Sequence, residues 1–141
     1  MRAQAALLAE IQEEASLAGL AHIYPPELYP FPTDAVRARW AAFDGWVEVE
    51  RDGFVAVVDG WLEAMYVRPS AWGSGLAVRL HAAAVAELER RSTERARLWV
   101  LERNDRARRF YERHGWRPDG TSRVVEFPPN PIDLGYELRF R

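Results

Sequence analysis

Trp61-Leu62-Glu63-Ala64-Met65-Tyr66-Val67-Arg68-Pro69-Ser70-Ala71-Trp72-Gly73-Ser74-Gly75-Leu76-Ala77 changes its grammar halfway. Up to Val67 the residues are apolar apart from one acid and read as a strand, which Arg68-Pro69 ends. Gly73 and Gly75 make a tight loop. From Leu76 the apolar residues Leu80, Ala83, Ala84 and Leu88 recur at helical spacing to about Arg91. A strand, a glycine turn and a helix start line up backbone N–H groups at the positive end of a helix dipole. That is a ready site for a phosphate or pyrophosphate, and the glycines let the main chain come close to it. The same pattern also serves as a plain strand-to-helix turn. It is not a dinucleotide fingerprint, which needs glycine where Val78 stands, and it lacks the Gly-Lys-Ser/Thr of a phosphate loop.

Working outward, two hairpin signals precede this stretch. Trp46–Glu50 alternates, Asp52-Gly53 leads into Phe54–Val58, and Asp59-Gly60 leads into Trp61–Val67, which makes an antiparallel meander. Upstream, residues 3–20 place Leu7, Leu8, Ile11, Ala15 and Ala18 on one helical face, ending at Gly19. Four prolines within Tyr24–Pro32 forbid regular structure there, while Tyr24, Tyr29 and Phe31 suggest packing. Thr33 or Asp34 is the expected cap of a helix to about Ala42 with Val36 and Trp40 on one face. Downstream, Leu98–Leu101 reads as a short strand pairing in parallel after the crossover helix. Asn104 or Asp105 caps a helix carrying Ala107, Phe110 and Tyr111, which Gly115 stops. Two strands, roughly 121–127 and 132–140, split by Pro128-Pro129-Asn130-Pro131, close the chain. The reading is one α/β domain, residues 1–141, with a mixed sheet.

Composition excludes whole chemistries. The 141 residues contain no cysteine, so disulfides, zinc-thiolate sites and acyl-cysteine intermediates are out. All 19 basic residues are arginine, so lysine Schiff bases and lysine phosphate loops are out as well. A net charge of −2 does not recommend a nucleic-acid partner. No apolar run approaches the roughly 20 residues of a membrane span. Met1-Arg2-Ala3-Gln4 has no signal-peptide form, and Glu10, Glu13 and Glu14 soon interrupt the helix, so a soluble cytoplasmic protein is expected. His22, His81 and His114 lack metal-site spacing, and no serine has nucleophile-elbow context, so no metal is expected.

Two motifs in register carry a resemblance. Val67-Arg68-Pro69 with Trp72-Gly73-Ser74-Gly75-Leu76-Ala77, and Asn104-x-x-Ala107-x-x-Phe110-Tyr111-x-x-x-Gly115-Trp116, resemble the GNAT superfamily of acetyl-CoA-dependent N-acetyltransferases. The resemblance covers most of the chain. It implies a mixed, mostly antiparallel central sheet of about six to seven strands flanked by helices. It also implies a splayed strand pair that holds CoA. The departure is Trp72, where the family usually has Arg or Gln.

By this resemblance the backbone of Met65, Tyr66 and Val67 pairs with the pantetheine arm. The amides of Gly73, Ser74, Gly75, Leu76 and Ala77 hold the pyrophosphate, with a possible hydroxyl from Ser74. Asn104 contacts the pantetheine, and Tyr111 protonates the departing thiolate. A phenol suits that task because it remains protonated at neutral pH. Among Arg103, Arg106, Arg108, Arg109 and Arg113 on the basic helix face, Arg108 or Arg109 is the expected contact to the ribose phosphate.

An amine attacks a thioester only when unprotonated, so a base is required. Glu63 is the candidate: an acid in an apolar strand, where burial would increase a carboxylate's hold on a proton. Glu102 is the reserve, and a solvent-facing Glu63 is the alternative. With no cysteine to hold the acyl group, the amine attacks acetyl-CoA directly in a ternary complex. By the same resemblance, segments 21–32 and 123–131 wall the acceptor pocket, and the expected acceptor is a small-molecule amine or a peptide N-terminus. A second reading is a non-catalytic CoA-binding or interaction module of the same shape. Six tryptophans are more than one small core needs, which leaves room for a homodimer contact or an aromatic acceptor pocket.

Overall fold

The computed structural model describes residues 3–91 and 94–140. Met1 and Arg2, on which part of the signal-peptide reading falls, lie outside them, as does Arg141 at the end of the domain reading. Helix α1 (Ala5–Gly19) buries Ala5, Leu8, Ala9, Ile11, Gln12 and Ala15. Ala18 faces solvent instead, because the helical repeat carries the stripe from Ala15 toward Gly19. The proline-rich segment forms only turns and bends. Helix α2 (Thr33–Ala42) follows, with Pro32 at its N-cap rather than Thr33 or Asp34. The Thr33 hydroxyl is used differently: it donates to Glu13 Oε1 at 2.7 Å and so ties α2 to α1. The fully buried Trp40 adds a second tie, donating Nε1–H to Gln12 Oε1 at 2.7 Å.

The meander is β1 (Trp46–Glu50), β2 (Gly53–Val58) and β3 (Trp61–Val67). A short 3-10 turn, Pro69–Ala71, and the glycine loop then lead to α3 (Leu76–Arg91). Strand β4 (Arg95–Leu101), helix α4 (Asp105–Arg113), β5 (Arg117–Val124) and β6 (Ile132–Arg139) complete the order. The six strands form one sheet, β1-β2-β3-β4-β6-β5, in which only β3–β4 is parallel. This is the expected single α/β domain with a mixed, mostly antiparallel sheet. Apolar clusters fill both faces. Phe54, Ala56 and Ala64 meet α1 and Trp40 on one side, and Val55, Val57 and Leu62 meet Leu76, Leu80, Ala84 and Leu88 on the other.

Two strand boundaries differ from the sequence reading. β4 starts at Arg95, because Arg95 and Arg97 take the half-buried face while Ala96 and Leu98 are buried between them. β5 starts at Arg117 and ends at Val124. Pro118 and Gly120 look like breakers, but a register shift between Pro118 and Ser122 on this edge strand absorbs them.

Two irregularities at the sheet centre position the site. β3 and β4 form a single parallel pair, Trp61↔Arg97, reinforced by Arg97 N–H donating to the Gly60 carbonyl at 3.0 Å. Beyond it no pairing joins Glu63–Val67 to Trp99–Leu101, so the two strands present free edges to each other. On the other edge of β3, Ala56 opposes Ala64 and Val57 opposes Leu62, which leaves Glu63 as the extra residue of a bulge. The bulge explains why Leu62 and Ala64 pack on opposite faces of the sheet.

Candidate active site

Two clefts open at the parted strands. The first, ≈ 480 Å³, runs from the glycine loop along β3. The second, ≈ 580 Å³, runs from the same point toward the proline-rich segment and the final hairpin. Ser16, Leu20, Met65, Tyr66, Asn104, Ala107 and Tyr111 line both, so the clefts meet at these residues. Four of the seven, Met65, Tyr66, Asn104 and Tyr111, are site residues expected from the sequence.

The loop presents free amides to the first cleft. Gly73 and Gly75 hold φ of +80° and +89°, a conformation that side chains disfavour. The Ser74 amide donates to the Ala71 carbonyl, and the Leu76 amide donates to the Ser74 hydroxyl. The intervening amides of Gly73, Gly75, Ala77 and Val78 have no acceptor among the described residues, and these four residues line the first cleft. Alternate donors at a helix start form a concavity for an anion. Ser74 itself turns away, its hydroxyl donating to the Ala71 carbonyl at 2.5 Å, and Leu76 is buried in the core. Of the expected loop contacts, then, Ser74 and Leu76 fall outside the cleft lining.

Trp72 spans the cleft wall. Its indole N–H donates to the Val67 carbonyl at 2.9 Å and takes up one of that oxygen's two acceptor sites, while Met65 and Tyr66 lie along the free edge and all three residues line the cleft. The Arg106 guanidinium lies 3.6 Å from the Trp72 ring centroid and lines the same cleft. No hydrogen bond or ion pair among the described residues holds that guanidinium. Of the two arginines expected at the phosphate, Arg109 lines neither cleft and Arg108 is committed elsewhere. It donates to Tyr136 Oη at 3.0 Å and to the Glu102 carbonyl at 2.9 Å. The basic residue that reaches this cleft from the start of α4 is Arg106, two positions earlier on the helix. Two positions on a helix lie about 200° apart, so the two arginines point to opposite sides of α4, and the sequence alone does not say which side meets the cleft.

Asn104 caps α4, its Oδ1 accepting from the Ala107 amide at 3.3 Å. At the other end Gly115 (φ +98°) lets the Trp116 amide close back onto the Tyr111 carbonyl at 3.0 Å, which anchors Tyr111 in the helix. Tyr111 is 8% exposed. Burial first, and the Tyr66 phenol second, push its pKa upward, so it stays a proton donor throughout the neutral range.

Glu63 is not buried. The bulge turns it into the second cleft with its side chain 35% exposed, and it accepts from Arg39 at 2.7 Å. The burial anticipated from its apolar neighbours is therefore absent; Leu62 and Ala64 are buried, one on each face. Glu102 is exposed and outside both clefts. The sequence reading missed Asp133, a 7% exposed acid on β6 that lines the second cleft and accepts from Arg123 at 3.0 Å. Ile132-Asp133-Leu134 gives only the signal of an alternating strand. The Tyr24 phenol responds to it: burial first and the Asp133 charge second push the Tyr24 pKa up to about 12. Tyr24, Tyr29 and Phe31 line this cleft, as expected of an acceptor wall, with Arg123 and Phe127 from the final hairpin. Trp61 and Trp99 line it too, Trp72 lines the other cleft, and Trp40 and Trp116 are core. Among the described residues no cluster of His, Asp and Glu could hold a metal ion, and no helix is long and apolar enough to cross a membrane.

A mixed sheet that parts beyond its one parallel pair, with the free amides of a helix start beside the gap, has the layout of the GNAT fold. A family model described as the acetyltransferase (GNAT) family matches residues 5–116, and the chain belongs to that family. No curated protein matches the sequence. The fold is similar to apo YjaB from Escherichia coli (22% identity, TM-score 0.74, 95% of this chain and 90% of that one). It is also similar to the PaiA N-acetyltransferase from Thermoplasma acidophilum in complex with coenzyme A (16% identity, TM-score 0.66, 97% and 93% covered). A third likeness is the ribosomal-protein-S18-alanine N-acetyltransferase from Escherichia coli (20% identity, TM-score 0.58, 87% and 86% covered).

Proposed function

We propose that the protein is an N-acetyltransferase moving an acetyl group from acetyl-CoA to an amine, by direct attack in a ternary complex. The observation that carries this is the meeting of the two clefts at Tyr111, Asn104 and the free edge of β3. One cleft suits a phosphate-bearing, extended donor; the other suits a small acceptor. Acetyl-CoA supplies the acyl thioester. The unpaired amides of Gly73, Gly75, Ala77 and Val78 would hold its pyrophosphate, and Met65 and Tyr66 would pair with its pantetheine arm.

The chemistry left to the chain is proton movement. The amine nitrogen bonds to the acetyl carbon and the carbon–sulfur bond breaks. Glu63 receives the proton that the amine gives up, and Tyr111 donates one to the departing sulfur. Glu63 suits the role by position, since the bulge points it into the acceptor cleft; Asp133 is the second carboxylate there. The acceptor is a small-molecule amine or a peptide N-terminus, in a cytoplasmic setting. One similar fold is that of a ribosomal-protein-S18-alanine N-acetyltransferase, which supports an amine acceptor in general.

The test is acetyl-CoA-dependent CoA release across an amine panel, with thermal shift by CoA in parallel. A ligand at 100 times its Kd adds about 2.7 kcal/mol of stability. Release with at least one amine supports the enzyme. A shift with no release supports the non-catalytic CoA-binding reading, which the engagement of Glu63 by Arg39 also favours. No shift removes both.

A further inference from the structure

The acceptor cleft selects more narrowly than its aromatic walls alone would, an inference that rests on the acyl-transfer reading above. Trp61 and Trp99 stack at 5.9 Å and 21°, one from each of the two parted strands. Aromatic faces ordinarily recruit cations. Here both indoles already carry one: Arg97 lies 4.7 Å from the Trp61 ring and Arg123 4.5 Å from the Trp99 ring. The charged side chains lining the cleft are Arg39, Glu63, Arg123 and Asp133. They form two closed pairs, Arg39–Glu63 at 2.7 Å and Arg123–Asp133 at 3.0 Å. The lining therefore carries no unmatched charge.

A single ammonium loses its charge as it reacts. A second one on the same substrate keeps its charge and must enter this cleft with it. It would have to draw a carboxylate away from its arginine or displace a guanidinium from an indole, and either leaves a partner unpaired. A planar apolar body meets no such obstacle and gains from the stacked rings. A space of ≈ 580 Å³ admits a ring on a short chain.

We propose that the acceptor is a small monoamine bearing an aromatic ring, and that the two arginine–carboxylate pairs exclude polyamines and other multiply charged amines. The probes are 2-phenylethylamine and spermidine, compared at equal concentration with saturating acetyl-CoA. The ring-bearing monoamine should give a kcat/KM at least about tenfold higher. Arg39→Gln, which leaves Glu63 unpaired, should narrow that ratio in favour of spermidine. Binding is read separately through indole fluorescence, with CoA present, in the wild type and in Trp99→Phe. Saturable quenching by 2-phenylethylamine that weakens in Trp99→Phe, without turnover, would support the acceptor class and count against the acetyltransferase reading. Turnover that prefers spermidine would overturn the acceptor class and leave the acetyltransferase reading standing. Should Arg39→Gln fail to fold, the wild-type ratio and the fluorescence titration still decide.

Discussion

The Arg106 guanidinium lies 3.6 Å from the centroid of the Trp72 ring, at the edge of the cleft that the loop amides face. Where the family usually places a loop Arg or Gln, this chain places an aromatic that holds an arginine from α4 instead. A guanidinium thus reaches the cleft from another element. Arg106→Gln should weaken CoA binding about tenfold, equivalent to about 1.4 kcal/mol, and leave pantetheine binding unchanged. Calorimetry with both ligands checks this. Equal losses for the two would show that Arg106 does not act at the phosphates.

Tyr111→Phe should retain CoA affinity and lower kcat by about a hundredfold or more, the usual contribution of a positioned acid. The ring remains in its place between Phe110 and Trp116, so thermal stability should change little. Steady-state kinetics with the best amine of the panel is the measurement, and an unchanged kcat would remove Tyr111 from the mechanism.

Glu63→Gln should slow turnover most where the amine is largely protonated. Raising the pH toward the amine's own ionisation should recover much of the rate, because a neutral amine no longer needs a base. A rate–pH profile of wild type, Glu63→Gln and Asp133→Asn decides between the two acids. If only the Asp133 variant shows this recovery, the proton goes to β6 rather than β3.

His81 should make the fold acid-sensitive. Its buried ring accepts Nε1–H of Trp116 at 3.0 Å, which requires an unprotonated Nε2. Burial first, then the neighbouring His114, push its pKa from 6.5 down to about 4. The unfolded chain therefore binds this proton at a higher pH than the native one does. The stability due to neutral His81 is present above pH 6.5 and is lost as the pH falls toward 4. Urea midpoints across that window check it. His81→Phe should flatten this part of the curve, yet cost about 1–3 kcal/mol at pH 7 by leaving the Trp116 N–H without an acceptor.

Local chemistry made most of the elements readable. Asp52-Gly53 and Asp59-Gly60 marked two tight hairpin turns, and the structure has strands ending and starting beside both. Gly115 marked the end of α4 because a left-handed residue there needs no side chain. What depends on pairing was not readable. Nothing in Pro118-Asp119-Gly120 shows that an edge-strand irregularity will carry β5 through it. Of the buried and solvent-facing alternatives for Glu63 the structure shows the second, and its exposure comes with a bulge against β2 that the sequence does not signal. Which side of α4 meets the cleft was not readable until Tyr136 and the Glu102 carbonyl engaged Arg108 and Trp72 engaged Arg106. Asp133 acquired meaning only when β6 inserted between β4 and β5.

One parallel pair, Trp61↔Arg97, is the strand pairing that joins the meander to the other half of the sheet. Mechanically the sheet is two panels joined by a single seam. Amides along the open edges of Met65–Val67 and Trp99–Leu101 should exchange with deuterium sooner than those of β2 or β6, which are paired on both sides. A ligand whose own amides bond to the β3 edge would act as a splint, slowing exchange on that edge and coupling the opening of the two panels.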